Sequence, residues 1–416
     1  MIDAAIGSGR HERECIFEVF ARHLPGGRRY GVVAGTGRLV ELIRDFRFGD
    51  AELDWLRAGR IVSDRTIDWL ADYRFRGSLT GYREGELYFP GSPILVLDGT
   101  FADSVILETL SLSVLNHDSA VASAASRMVN AATGRPLAEM GSRRTDESSA
   151  VAAARAAFIA GFSATSNLEA GRTWGIPTMG TAAHSFTLLH DTEEEAFAAQ
   201  VAALGPGTTL LVDTYDIPTG VANAVRAAGT GLGSVRIDSG DLPVVVAQVR
   251  AQLDALGATG TRITVTNDLD EYSIAALRAA PVDSFGVGTS VVTGSGHPAA
   301  AMVFKLVAHR DPGGAWVGVA KKSAEKATVA GRKIPVRALE GGIAVEETIY
   351  VDEPDGGASG RRLLVDYIVA GESVPANLGP DGVLAARDHH RAAIAELPAD
   401  ALRLSRGDPA IPTRYY

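Results

Sequence analysis

Between residues 94 and 289, short apolar runs alternate with alanine-rich stretches of helical period, and most runs end in polar or glycine residues. The runs at 94–97, 137–140, 162–164, 177–180, 208–212, 234–237, 262–266 and 284–287 predict strands. Short apolar runs bounded by turn residues suit strands buried on both faces. The stretches between them predict helices at 101–132 (broken near Asn116), 148–160, 168–174, 193–203, 221–228, 242–256 and 271–279. Strand–helix alternation at this pace implies parallel strands with crossover helices. Its repetition over about 200 residues suits a closed (β/α) barrel better than an open sheet.

Outside this region the pattern is mixed. A strand at 16–20 and helices at 38–44, 50–58 and 65–73 are expected on the N-terminal side. After Met302 the alternation fades. Residues 321–333 are basic and polar, residues 352–360 read as a turn or hairpin, and one more helix is expected at 387–396. The division expected is 1–95, a barrel at 96–300, and a C-terminal region at 301–416 packed beside it.

Composition narrows the class. Hydrophobic residues make up 46% and charged residues 22% of 416 residues, an ordinary globular balance. The net charge of −10, without basic runs, lacks the electrostatic footprint of a nucleic-acid binder. The single cysteine, Cys15, excludes a disulfide framework and multi-thiolate zinc sites. Charges at Arg10, Glu12, Arg13 and Glu14 interrupt any signal-peptide apolar region, and no run of eighteen apolar residues occurs. A soluble, cytoplasmic protein with no membrane partner is expected.

The polar residues fall where a barrel enzyme needs them. Such barrels build their sites at the carboxyl ends of the strands. Here those ends carry Arg143-Arg144, His184, Asp213, Arg236 with Asp238, Asn267-Asp268 and Gly286 to Thr289. The glycines of Gly286-Val287-Gly288-Thr289 let backbone amides approach a phosphate, although a tight turn would use them equally. In Arg236-Ile237-Asp238-Ser239-Gly240-Asp241, the carboxylates Asp238 and Asp241 are candidates for Mg²⁺ or sugar hydroxyls. Ser239 and Gly240 offer donors to a phosphate. A helix cap at Asp238 or Ser239 would explain one residue and leave Arg236 without a role. Arg143-Arg144 suits bidentate binding of a carboxylate or pyrophosphate. His184, among small neighbours, has the chemistry of a nucleophile or base. His117, His389 and His390 read as helix-surface residues without a role.

Several of these words resemble the nicotinate phosphoribosyltransferase family. Gly180-Thr181-Ala182-Ala183-His184-Ser185-Phe186 is similar to its histidine motif. Arg236-Ile237-Asp238-Ser239-Gly240-Asp241-Leu242 is similar to its second hallmark, and Gly286-Val287-Gly288-Thr289 to its phosphate loop. Supporting matches are Phe17-Glu18-Val19-Phe20 with Leu24-Pro25, Gly141-Ser142-Arg143-Arg144, Asp213-Thr214-Tyr215-Asp216, and Lys322-Ser323 with Lys326, Gly331 and Lys333.

The resemblance implies an irregular (β/α) barrel of the type II phosphoribosyltransferase kind, with an α/β domain built from the N- and C-terminal segments. It implies a homodimer that forms nicotinate mononucleotide from nicotinate and phosphoribosyl pyrophosphate. It further implies coupled ATP hydrolysis through a phosphohistidine, with Mg²⁺ as cofactor. His184 would be that histidine, beside Ser185. Ser239, Gly240, Gly288 and Thr289, with Gly286, would hold the ribose 5-phosphate. Arg236 and Asp238 would face the ribose and pyrophosphate, with Asp213, Asp241 and Asn267 as further substrate contacts. Arg143 or Arg144 would grip the nicotinate carboxylate or the pyrophosphate. Family members carry an Asp-x-Tyr segment ahead of a methionine, and its tyrosine stacks on the pyridine ring. No tyrosine precedes Tyr30 here. The expectation is either a start set beyond that segment or weaker ring binding. The alternatives are a nicotinamide or quinolinate enzyme of the same superfamily, and a non-catalytic nucleotide-binding barrel. A Schiff-base aldolase is disfavoured, because residues 94–290 contain no lysine.

Overall fold

The computed structural model describes residues 1–321, 328–354 and 357–416. Lys322, Ser323 and Lys326 of the basic segment, and part of the turn expected at 352–360, lie outside them. The chain divides into two compact units, one of Met1–Ser123 with His297–Tyr416 and one of Ala124–Gly296. Residues 96–123, expected in the barrel, group with the terminal segments.

The second unit holds six parallel strands. Their spatial order is Ala164–Thr165, Leu137–Glu139, Ser284–Val287, Arg262–Val265, Ser234–Ile237, Thr209–Leu211. The strand expected at 177–180 is reduced to one parallel bridge, Thr178 to Thr165. Pro177 has no N–H with which to extend a ladder. The result is an irregular (β/α) barrel. Along its strands Val235, Ile237, Ile263 and Val265 are wholly buried. Ser234, Arg236, Thr264 and Thr266 share the opposite face, as a period of two requires. There the hydroxyls of Ser234, Thr264 and Ser284 link in a row at 3.1 and 2.8 Å.

Short polar caps start the barrel helices. Asp146, Asn167, Thr192, Asp216 and Asp270 each accept a backbone N–H of the first turn. The Asp216 cap moves one helix start to Ile217, ahead of the expected 221, with Pro218 tolerated in the first turn.

The first unit is built from both chain ends. Its large antiparallel sheet runs Trp316–Gly318, Met302–Arg310, Glu14–Ala21, Leu95–Thr100, Ser78–Tyr82, Leu364–Val369, Glu372–Ser373. A smaller sheet orders Arg361–Arg362, Lys333–Glu340, Ile343–Val351 and Thr413–Tyr415. The strands Ile343–Val351 and Arg361–Arg362, on either side of residues 352–360, do not pair with each other. Both instead flank the same third strand, Lys333–Glu340. Strand pairing continues past Met302 even though the sequence pattern fades. Charged residues buried inside the strands hide it: Arg337 and Glu347 are wholly buried and bonded at 2.6 Å. Removing two charges from water requires such pairing.

Two further expectations are corrected here. The helix expected at 101–132 breaks between Phe101–Val105 and Glu108–Ala132. Asn116 instead clamps the strand at Met302, donating to its carbonyl at 3.3 Å and accepting its N–H at 2.9 Å. The three histidines expected on helix surfaces all have partners. His117 meets Asp118 at 2.9 Å, His389 meets Glu86 at 2.8 Å, and His390 is buried against the Gly85 carbonyl at 2.9 Å. Among the described residues no helix is long and apolar enough to cross a membrane.

Candidate active site

The carboxyl ends of the barrel strands enclose a cavity of about 160 Å³. Arg143, Arg144, Arg236, Asp238, Asn267, Gly286, Gly288 and Thr289 all line it, although they are scattered over some 150 residues of chain. Met140, Thr266 and Asp268 complete the lining.

Arg236 is the anchor of the mouth. It sits next to last on the strand Ser234–Ile237, with its side chain 12% exposed. Its Nε donates to the Thr266 hydroxyl at 2.8 Å, and Nη1 donates to the Thr181 hydroxyl at 2.7 Å. Nη2 lies 3.2 Å from Asp238 Oδ2. Thr266 in turn donates to Asp238 Oδ1. One hydroxyl thus locks both the guanidinium and the carboxylate.

Asp213 holds the next layer. Its Oδ2 accepts the Asp238 N–H at 2.8 Å and the Ser239 hydroxyl at 2.7 Å. Its Oδ1 is buried without a hydrogen-bond partner. Asp213 therefore shapes the turn after Ile237. Gly240, at φ +88°, completes that turn in a region L side chains avoid. Asp241 follows as the exposed N-cap residue of Leu242–Ala255 and makes no side-chain capping bond. The helix cap considered for Asp238 or Ser239 is not made, because both side chains bond elsewhere.

His184 opens the short helix His184–Leu188. Its ring is 42% exposed, with Nδ1 3.1 Å from the Thr214 hydroxyl and Nε2 3.9 Å from Asp238 Oδ2. The imidazole thus borders the Arg236–Asp238 pair. His184, Ser185, Asp213, Ser239, Gly240 and Asp241 do not line the cavity itself; of these, Ser185 is exposed beside His184.

The two turns facing the arginines are glycine-dependent for steric reasons. A Cβ on Gly286 would lie 2.7 Å from both Met140 Sδ and Thr266 Cγ2. A Cβ on Gly141 would lie 2.2 Å from Val292 Cγ1 and 2.9 Å from the Gly288 carbonyl oxygen.

Thr266, Thr214 and Glu139, which bond to site residues, are not singled out by sequence reasoning. Glu139 is wholly buried, accepting the Gly141 N–H and, at 2.6 Å, the Thr165 hydroxyl. Burial pushes its carboxyl upward from the usual range. A threonine directly after a strand's buried last valine, as Thr266 follows Val265, carries no chemical signal by itself. Strand alternation puts Thr266 on the face of Thr264, and only the pairing with the neighbouring strand brings it to Arg236.

A barrel whose strand ends gather arginines, hydroxyls and glycine turns around one polar cavity defines an enzyme for anionic ligands. The model of the nicotinate phosphoribosyltransferase N-terminal domain matches residues 1–116. A nicotinate phosphoribosyltransferase of Mycobacterium tuberculosis is 56% identical over 430 residues, spanning 100% of this chain and 92% of that protein. One from Bacillus subtilis is 37% identical over 336 residues, spanning 78% of this chain and 68% of that protein. The crystal structure of human nicotinic acid phosphoribosyltransferase superposes with a TM-score of 0.83 at 23% identity, covering 99% of this chain and 95% of that one, a likeness of fold. The chain belongs to the nicotinate phosphoribosyltransferase family of enzymes, and its fold is the type II phosphoribosyltransferase barrel with an α/β domain from both chain ends.

Proposed function

We propose that this enzyme forms nicotinate mononucleotide and pyrophosphate from nicotinate and phosphoribosyl pyrophosphate, with ATP hydrolysis coupled through His184. The observation that carries this reading is the nearness of His184 to a hydrogen-bonded arginine–aspartate pair on the cavity. His184 borders the Arg236–Asp238 pair, and that pair lines the same cavity as Arg143, Arg144 and the Gly286–Gly288 turn.

Displacement of pyrophosphate builds positive charge at the anomeric carbon and negative charge on the leaving group. Arg236, held rigid by Thr266 and Thr181, faces the leaving group. Asp238 faces the ribose. Backbone amides of the Gly288-Thr289 turn, with those near Ser239 and Gly240, hold the 5-phosphate. Arg143 or Arg144 takes the nicotinate carboxylate. The pyridine nitrogen is already a nucleophile, so orientation matters more than a base. In the tautomer whose Nδ1–H donates to Thr214, the Nε2 lone pair of His184 is available to accept the γ-phosphoryl group of ATP as ADP departs.

Mg²⁺ fits the donor set. Among the described residues no cluster of three His, Cys, Asp or Glu side chains stands ready to hold a metal. Mg²⁺ commonly uses one or two carboxylates together with substrate phosphate oxygens. Asp238 and Asp268 are the carboxylates on the cavity, while Asp241 lies outside its lining. Bound there, the ion would neutralise charge on the pyrophosphate. We further place the enzyme in the cytoplasm as a homodimer, in keeping with its family.

The test is mononucleotide formation with and without ATP, in wild type and in His184→Ala. Loss of ATP stimulation with retained basal turnover is expected. Stimulation of the variant equal to wild type removes His184 from the coupling. Turnover of nicotinamide or quinolinate in preference to nicotinate overturns the substrate assignment.

A further inference from the structure

The strand Leu137–Glu139 ends on a buried carboxylate to which the chemistry above gives no task. Its hydrogen-bond partners are neutral. Oε1 accepts the Gly141 N–H and Oε2 accepts the Thr165 hydroxyl. The Thr165 oxygen accepts the Asn167 N–H at 3.0 Å, and Asn167 Nδ2 donates to Ser142 Oγ at 3.0 Å. Glu139, Gly141, Ser142, Asn167 and Thr165 therefore close a ring of bonds around one turn. Such networks rigidify when every member is satisfied. A carboxylate buried without a cation is a costly way to hold a turn, and both of its oxygens are committed to donors of that turn.

What the turn carries explains the expense. Arg143 and Arg144 follow Ser142 directly and stand exposed on the cavity. The turn is also seated against the glycine turn opposite. Gly141 has no room for a Cβ beside Val292 and the Gly288 carbonyl, and the Met140 N–H donates to Val287 O at 2.8 Å. Any slip of the Gly141-Ser142 turn would shift both arginines relative to Gly286 and Gly288.

We propose that Glu139 is a positioning residue for substrate anions: it holds Arg143 and Arg144 in register with the Gly286–Gly288 turn, and so sets the affinity for the nicotinate carboxylate through the turn. This rests on the nicotinate reading above. It assigns Glu139 to binding rather than to the chemical step, and that distinction separates KM from kcat.

The test uses Glu139→Gln and Thr165→Val, both close in volume to the native residues. The glutamine puts an amide N–H where Oε2 accepts the Thr165 hydroxyl, so that hydroxyl must turn away while its oxygen already takes the Asn167 N–H, and the valine removes the hydroxyl altogether. In each, the KM for nicotinate and its calorimetric Kd should rise about tenfold. The kcat should stay within about twofold, and ATP stimulation should persist. Inorganic pyrophosphate titrated in parallel gives a second reading of the same arginines that needs no turnover. If wild type binds nicotinate or pyrophosphate but makes no mononucleotide, the activity assignment fails, and Kd still reports on Glu139. Folded variants with both Kd values within about twofold of wild type overturn the proposal, as does a lower kcat at unchanged KM. If Glu139→Gln does not fold, Thr165→Val and Ser142→Ala carry the same comparison.

Discussion

The Nδ1 of His184 lies 3.1 Å from the Thr214 hydroxyl, and that contact fixes which nitrogen of the ring faces Asp238. An imidazole acts as a nucleophile through one nitrogen only when the other carries the proton. Thr214→Val should therefore let the ring rotate and mix its tautomers. The expected loss in phosphoryl transfer from ATP to His184 is on the order of tenfold to a hundredfold, the usual consequence of a misplaced reacting group. Radiolabel incorporation from γ-labelled ATP measures it. Labelling at the wild-type rate would mean that Thr214 does not orient the ring.

Arg236 makes a sharper case, because its three nitrogens have three different partners. Nε meets Thr266, Nη1 meets Thr181 and Nη2 meets Asp238. A lysine cannot reproduce that fork. Arg236→Lys should lose nearly as much kcat/KM as Arg236→Ala, about 10²- to 10³-fold, as when a charge-stabilising donor is removed from a reacting site. A lysine variant within about fivefold of wild type would show that only the charge matters there.

This pair also shows how much could be read beforehand. Arg236, Asp238, Gly286 and Gly288 were legible because barrel chemistry sits at strand ends, and the ends were visible as apolar runs. Thr266 and Thr214 were not legible, since their importance lies in what they bond to across the barrel. The same limit hid the strands after Met302, where Arg337 and Glu347 satisfy each other inside the sheet and erase the apolar alternation. His390 reads as a surface residue for a related reason: its buried partner, the Gly85 carbonyl, is 305 residues away.

That histidine gives a stability prediction with a defined sign. Burial lowers the His390 pKa from 6.5 to about 4, so the folded protein keeps it neutral where the unfolded chain would protonate it. A group with a depressed histidine pKa contributes stability that is complete above 6.5 and lost as pH falls toward 4. The loss expected from this residue between pH 7 and pH 4.5 is about 2–3 kcal/mol. Urea unfolding at the two pH values, in wild type and in His390→Gln, isolates it. The variant should start less stable and lose less on acidification. An identical pH dependence in both would show that His390 is not buried as a neutral ring.

Gly286 ties the two turns to the anchor, and its substitution should be felt at both. A Cβ there would lie 2.7 Å from Thr266 Cγ2 and from Met140 Sδ. The methionine can swing aside, being flexible. Thr266 cannot, because its hydroxyl bonds Arg236 on one side and Asp238 on the other. Gly286→Ala should therefore displace the pair and raise the KM for phosphoribosyl pyrophosphate about tenfold or more, with a loss of about 1–3 kcal/mol in stability from overpacking. Thr266→Ala in the same background vacates the space and should restore stability. It should not restore the KM, because the hydroxyl that locks Arg236 and Asp238 is gone. Steady-state kinetics beside thermal unfolding of the single and double variants measures both effects. Recovery of the KM together with stability would mean that bulk at position 286, and not the Thr266 hydrogen bonds, governs how the phosphoribosyl group is held.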